Sequence, residues 1–425
     1  MGESTSLRAR ASELRRTLHR YPEPSWCEFY TTSRIVDELE ALGVDEIHVG
    51  SEVIDADDRM GVPDESELER WHEKAREAGA REDVLEKTAG GLTGAVAVLR
   101  QGDGPTVGLR VDIDALRREE STDERHLPAA KGFRSGNPGV MHACGHDAHT
   151  TMGLGVVEAL RESDFEGTLK VFFQPAEEVL GGGKPMANSG LVDDVEFLLA
   201  VHVGLNHPTG EVVAGGDRAL AVRQLNVAFT GESAHAGLAP NEGRNAMQAA
   251  GTAIQNLYGV PRHEAGLTRV NVGRLDAGSA PNVVADEAEM EMEVRGGTND
   301  LLEYMGEEAD RVLRAAAEMH DCELDVSLFS EAPRCDSDDG VVDVVEDVAG
   351  GSEAVESVVR RANLNVSEDA TYLMQAVEDN GGEASYVVVG TDHPTGHHTA
   401  RFDVDEETID VGIDVLSESL RRLGE

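Results

Sequence analysis

The sequence predicts an α/β protein interrupted by a ferredoxin-like α+β insertion, and three observations predict it. Short apolar runs alternate with stretches of helical periodicity along most of the chain. From about 218 to 333 the alternation gives way to the order β-α-β-β-α-β of a split ferredoxin-like unit. The chemistry-bearing residues stand just after apolar runs, where open α/β sheets gather their ligands.

In the first fifty residues Leu14, Leu18, Ile35, Val36, Leu39 and Leu42 recur near helical spacing. A polar stretch follows over 51–87, and its second half, 65–86, fits an exposed helix. Buried strands are expected at GAVAVL (94–99), VGLRV (107–111), LKVFF (169–173), FLLAV (197–201) and YVVVG (386–390). Helices are expected between them, at 151–161 and 368–379. Within the insertion, strand 224–230 leads to helix 245–257. Strands 268–274 and 287–295, helix 301–319 and strand 323–329 complete it. The α/β domain is thus read as 1–217 and 334–425, and the inserted domain as 218–333.

Charge excludes several partner classes. There are 82 acidic residues against 37 basic ones, of which five are Lys, for a formal charge of −45. Such a surface repels nucleic acid and anionic lipid, and in dilute buffer it repels itself. Molar salt shortens the Debye length to about 3 Å and screens that repulsion, so the composition is that of a salt-adapted protein. No stretch reaches the ~18 apolar residues of a membrane span. The basic N-terminus lacks the apolar run of a secretory signal, so a cytoplasmic location is expected. The four cysteines, Cys27, Cys144, Cys322 and Cys335, show no disulfide spacing.

Five polar clusters follow the strands. VGLRV runs into Asp112 and Asp114; the next connection carries MHACGHDAH, with His142, Cys144, His146, Asp147 and His149. LKVFF runs into QPAEE, with Glu177 and Glu178; FLLAV ends at His202; YVVVG leads to Asp392, His393, His397 and His398. A thiol, imidazoles and a carboxylate suit Zn²⁺, Mn²⁺ or Co²⁺ better than Mg²⁺ or Ca²⁺, which prefer all-oxygen shells. Five such ligands are enough for two divalent ions with a bridging water. Of two adjacent glutamates, one binds metal while its neighbour takes a proton from the attacking water. Taken alone, Cys-x-His is a weak signal that also fits a small core thiol beside a satisfied histidine, and Glu-Glu is more often a solvated helix start. Convergence of five clusters favours the metal site. His207, His393 and His397 read as neighbours of that site; His19, His48, His72, His126, His263 and His320 read as surface residues. Gly181 to Gly183 lack a following Gly-Lys-Ser/Thr and read as a flexible turn.

MHACGHDAH, QPAEE, AVHVG, SAHAG and GHHTARFDVDE together resemble the M20 metallopeptidase clan, in its aminoacylase/carboxypeptidase-like amidohydrolase branch. YPEPSWCEF, DDRMGVPDE, GGLTG, SEDATYLM and ASYVVVGT narrow the resemblance toward enzymes that hydrolyse p-aminobenzoyl-glutamate. The resemblance implies a mixed-sheet, zinc-peptidase-like catalytic domain with the insertion acting as lid and dimerisation domain. It implies Cys144, His146, Glu178, His202 and His398 as ligands of two divalent ions, Mn²⁺ or Zn²⁺. His398 is chosen over His397 for its position four residues before Phe402. Glu177 is implied as general base and then proton donor, and Asp114 as a supporting carboxylate. His235 is implied to polarise the scissile carbonyl, from the other subunit of a dimer. Asn282 and Arg295 match lid positions that approach substrate. The implied reaction is hydrolysis of a small N-acyl amino acid by a homodimer or with a paralogous second subunit. A general deacylase or dipeptidase, and a non-catalytic metal-binding subunit, are the alternatives. One departure stands out: many relatives have Leu-Pro where this chain has Leu116-Arg117-Arg118.

Overall fold

The computed structural model describes residues 6, 10–364 and 366–425. The chain packs as two compact units. One comprises Met1–Asp217, Cys335–Leu364 and Asp369–Glu425; the other comprises Arg218–Arg334 and Asn365–Glu368.

The first unit is built on an eight-stranded mixed sheet. Its strands are β1 (Glu46–Val49), β2 (Ala95–Arg100), β3 (Thr106–Asp112), β4 (Thr168–Gln174), β5 (Phe197–Val203), β6 (Glu211–Asp217), β11 (Ser357–Asn363) and β12 (Glu383–Val389). They lie in the order β1-β2-β4-β3-β5-β12-β6-β11. The four central strands, β4, β3, β5 and β12, run parallel. Each is buried over six consecutive residues. A strand covered on both faces needs apolar side chains on both, which explains the near-continuous apolar runs, broken in β3 and β4 by Arg110 and Lys170. Leu109, Val111, Leu199 and Val201 pack on one face with Leu154, Leu160 and Leu416; Phe172, Leu198 and Ala200 pack on the other with Trp26, Phe29 and Leu373. Because the four strands are parallel, Asp112, Gln174, His202 and Val389 all stand at the same end of the sheet.

Helices cover the sheet: α1 (Ala11–Arg20), α2 (Phe29–Leu42), α3 (Glu65–Glu77), α4 (Glu82–Thr88), α5 (Leu127–Lys131), α6 (His146–Glu162) and α7 (Gly183–Ala187). After the second unit come α10 (Asp339–Gly351), α11 (Ala370–Asp379) and α12 (Glu407–Leu423). The polar segment read as one exposed helix is instead two, α3 and α4, and α3 buries Leu68, Trp71 and Ala75. A side chain every three or four residues is enough to dock a helix whose remaining positions are charged. Strands β1, β6 and β11 are too short or too polar to stand out in the sequence.

The second unit contains β7 (Ala221–Thr230), α8 (Ala246–Leu257), β8 (Thr268–Ala277), β9 (Glu287–Gly296), α9 (Asn299–Met319) and β10 (Glu323–Ala332). Its antiparallel sheet has the order β10-β7-β9-β8. Alternate residues of β9, Ala288, Met290, Met292 and Val294, are buried against α8 and α9, the two-residue period of a sheet with one covered face.

Candidate metal centre

Local backbone geometry aims the polar residues beyond the central strands. Gly145, at φ 92°, makes the sharp entry into α6, and a Cβ there would lie 2.5 Å from Val203 Cγ2. His146 therefore begins the helix rather than preceding it, and α6 starts earlier than the apolar spacing alone predicts. Pro175 ends β4, and Glu177 and Glu178 occupy a single 3₁₀ turn between Ala176 and Leu180. Both flanking residues are left-handed, at φ 55° and 53°, a conformation that costs a non-glycine residue energy and concentrates at functional sites. His398 is left-handed too, and its N–H donates to the Ala143 carbonyl at 2.8 Å. That bond ties the last cluster to the Cys144 loop.

Cys144, His146, Glu177, Glu178, His202 and His398 come together. Cys144 Sγ lies 3.4 Å from His202 Nε2. His146 Nε2 is 4.0 Å from Glu177 Oε2 and 3.8 Å from Glu178 Oε1. His398 Nε2 is 3.5 Å from Glu178 Oε2. Ligand atoms of Cys144, His146 and His202 lie within 4.8 Å of one another, as do those of Cys144, Glu178 and His398, and of His146, Glu177 and Glu178.

Hydrogen bonds decide which ring nitrogens are open. His146 Nδ1 donates to Asp114 Oδ1 at 3.2 Å, and its buried Nε2 has no hydrogen-bond partner. His202 Nδ1 donates to the Val203 carbonyl at 2.8 Å, which leaves Nε2 facing Cys144. His149 shares a ligand-spaced group with Asp112 and His146, but both its nitrogens are used. Nδ1 bonds Asp112 and Nε2 accepts the Val203 N–H. His397 Nε2 donates to the Val203 carbonyl, so of the adjacent pair it is His398 that faces Glu178. His142 joins none of these groups; it is buried beside the His19 ring, and both its nitrogens lack partners.

The electrostatics call for a cation. Burial disfavours charge on His146, yet Asp112, Asp114 and Glu178 outweigh it and push its pKa up to about 10. A site that draws a proton so strongly onto a buried imidazole draws a divalent ion by the same field. Burial, reinforced by His149, holds His202 well below its ordinary value, so its ring is neutral and keeps a lone pair. The open nitrogens, the thiol and the carboxylates fit a metal site of mixed sulfur, nitrogen and oxygen donors.

Supporting residues lock this arrangement. Asp114 also accepts from Ser25 Oγ at 2.7 Å and from the Glu178 N–H at 3.1 Å, so one carboxylate orients both His146 and the glutamate turn. Glu28 accepts the Ala176 N–H at 2.8 Å. Asp369 accepts the N–H groups of Gly182 and Gly183 and the Gln174 amide. The glycine run expected to be a flexible turn is therefore buried and anchored. A Cβ on Gly182 would lie 1.8 Å from the Pro175 carbonyl oxygen. His19 and His126, expected at the surface, are fully buried. His19 bridges Asp147 at 2.8 Å and Glu120 at 3.0 Å, and Glu120 also takes His126 at 2.7 Å. Arg15 completes the network on Asp147 and Asp403. Sequence reading missed Glu28, Glu120 and Asp369, because each acts on backbone or side chains far away in the chain.

The remaining candidates belong to the second unit. His235 and Asn282 are exposed and occupy paired segments: His235 bridges Val283, and the Ala236 N–H donates to the Asn282 carbonyl at 3.0 Å. His235 Nδ1 accepts the Gly237 N–H at 3.1 Å, so in the neutral ring Nε2 carries the proton. Arg295 is half-buried, and Glu293 occupies its fork through two bonds of 2.9 and 3.0 Å.

Residues 108–422 match the model of peptidase family M20/M25/M40. Indole-3-acetyl-aspartic acid hydrolase of Enterobacter agglomerans is 42% identical over 96% of this chain and 94% of its own. One of the subunits of p-aminobenzoyl-glutamate hydrolase of Escherichia coli is 40% identical over 97% and 95%. Among solved structures, the aminobenzoyl-glutamate utilization protein of Klebsiella pneumoniae superposes with a TM-score of 0.83 at 35% identity. That match covers 98% of this chain and 97% of the other.

Proposed function

We propose, from the premise that this chain belongs to peptidase family M20/M25/M40, that the cluster around His146 hydrolyses the amide of an N-acyl aspartate or glutamate. The chain is a metal-dependent amidohydrolase acting on N-acyl amino acids, in keeping with its family and with relatives named as hydrolases of indole-3-acetyl-aspartic acid and of p-aminobenzoyl-glutamate. The observation that carries the reading is the open, buried Nε2 of His146 among Cys144, Glu177 and Glu178. Cys144, His146, Glu178, His202 and His398 would hold two divalent ions. Bound there, such ions polarise a carbonyl, acidify water and offset oxyanion charge.

The chain's own residues carry the rest. Glu177, beside but outside the ligand set, accepts the proton of the attacking water as the new C–O bond forms, then delivers it to the leaving amine nitrogen as the C–N bond breaks. Water is consumed, and a carboxylate and an amine are released. Asp114 fixes the His146 tautomer with the proton on Nδ1, so that Nε2 keeps its lone pair for a metal. His235 offers its Nε2–H to the developing oxyanion. Asn282 and Arg295 contact the substrate, Arg295 exchanging its Glu293 partner for the α-carboxylate.

The second unit is proposed as lid and dimerisation domain, since its sheet ends on β8 and β10, either of which another copy can extend. A paralogous chain is the further candidate partner, because the E. coli relative is named as a subunit. The physiological ion is proposed as Mn²⁺ or Zn²⁺, and the location as cytoplasmic; no helix of the described residues is long and apolar enough to cross a membrane. The acidic composition is proposed as an adaptation to salt.

Assay of the purified chain with Mn²⁺ or Zn²⁺ over a panel of acyl amino acids tests the reaction. Glu177→Gln is expected to retain metal by elemental analysis and to lose roughly 100- to 10,000-fold in turnover. His146→Ala is expected to lose metal. Undiminished hydrolysis by the first variant rules out the base assignment.

A further inference from the structure

The connection from β3 to α6 turns back along the metal centre. Leu116 bridges Met141, and the Ser121 N–H donates to the Ala400 carbonyl at 2.8 Å. Residues 117–121 therefore run beside the loop that carries His398. Two consecutive arginines sit at the start of this strip. They differ in what holds them. Arg117 is engaged by Glu67 of α3 at 2.8 Å. Arg118 is exposed and, among the described residues, makes no side-chain hydrogen bond or ion pair, in a chain with 82 carboxylate side chains.

Among the described arginines, Arg118 shares that property with Arg161, Arg262 and Arg401. Arg161 ends α6, roughly 20 Å by helical rise from His146 at its start. Arg262 belongs to the second unit, and Arg401 lies in the field of Asp123. Arg118 is the unpaired arginine of the 117–121 strip, which runs beside the loop that carries His398.

We propose that Arg118 is a specificity-determining residue whose guanidinium holds the side-chain carboxylate of an N-acyl aspartate or glutamate beside the metal centre. This rests on the N-acyl amino acid reading above and deepens it. Such a substrate carries two carboxylates, and the α-carboxylate, next to the scissile amide, needs its own partner. The second lies one or two methylenes farther out and needs another. A dianion also approaches a chain of net charge −45 against its overall field. A local, uncompensated guanidinium reverses that field where it matters, and its planar fork matches a carboxylate through two bonds. An arginine already paired, as Arg117 is, would first have to exchange its ion pair, as is proposed for Arg295.

The test compares p-aminobenzoyl-glutamate with p-aminobenzoyl-glutamine, which differ at that carboxylate. Binding is measured by calorimetry on metal-loaded Glu177→Gln protein, alone and combined with Arg118→Ala or Arg118→Lys, at fixed salt. Arg118→Ala is expected to weaken the glutamate compound about 10- to 100-fold and the glutamine compound less than about twofold, with Arg118→Lys recovering part of the loss. Equal losses for both compounds, or no loss for either, overturn the proposal. Turnover by the Glu177→Gln protein would overturn the base assignment alone. Arg118 would then be judged by the same comparison of kcat/KM for the two compounds.

Discussion

His19 illustrates what a single residue's surroundings decide. In the sequence it follows a run of arginines and reads as a surface residue; in the fold it lies between Asp147 and Glu120, 128 and 101 positions away. Burial opposes its charge, but the two carboxylates win and its pKa rises to about 9. The folded state thus holds this proton more tightly than the unfolded chain does. The resulting stability is fully present below the ordinary histidine pKa near 6.5 and is lost as pH rises through 9. The loss is expected to be on the order of 2–3 kcal/mol. Thermal unfolding should show the melting temperature falling from pH 6.5 to 9, and His19→Gln should flatten that slope. Equal slopes in the two proteins would contradict the assignment. The opposite limb belongs to Glu120: against burial, His126 and His19 hold its pKa down to about 2, so its contribution is lost as pH falls below the ordinary carboxylate range.

At the scale of an element, the glutamate turn after β4 is the most tightly determined piece of the site. Its strained Ala176 and Leu180 are held because Glu28 and Asp369 capture the surrounding amides. Its path requires backbone to approach backbone at Gly182, where a methyl group would meet the Pro175 carbonyl at 1.8 Å. Neither neighbour is a side chain that can swing away. Gly182→Ala is therefore expected to displace the turn, lower stability by about 3 kcal/mol or more and remove most activity. Calorimetric unfolding and turnover measured on the same preparation check this; a variant that keeps both would show that the turn tolerates rearrangement. The Gly-Gly-Gly run was visible in the sequence, but its rigidity was not, because the Asp369 that holds it lies on another element.

For the whole molecule, charge is the dominant property. A net charge of −45 on 425 residues opposes compaction, and salt relieves the opposition by screening. The far-ultraviolet circular-dichroism signal is expected to diminish when KCl is dialysed away, and the melting temperature to rise between 0.1 and 2 M KCl by about 10 °C or more. Full stability in low salt would remove the case for salt adaptation. The arginines fit the same picture, since most of the described ones are engaged by carboxylates or carbonyls, and Arg118 is one of four that are not.

Apolar runs and the donor types that follow them are local properties, so the chain's sequence alone established the α/β class, the strand ends where chemistry gathers, and the split unit between them. Parallel strands did the rest of that work: once they share a direction, residues at their ends must share a neighbourhood. Which histidine nitrogens keep a lone pair, which histidines are buried, and which arginines lack a counter-charge were decided only in three dimensions. Each depends on a hydrogen bond or ion pair with a residue far off in the chain, and no spacing within a motif encodes such a partner.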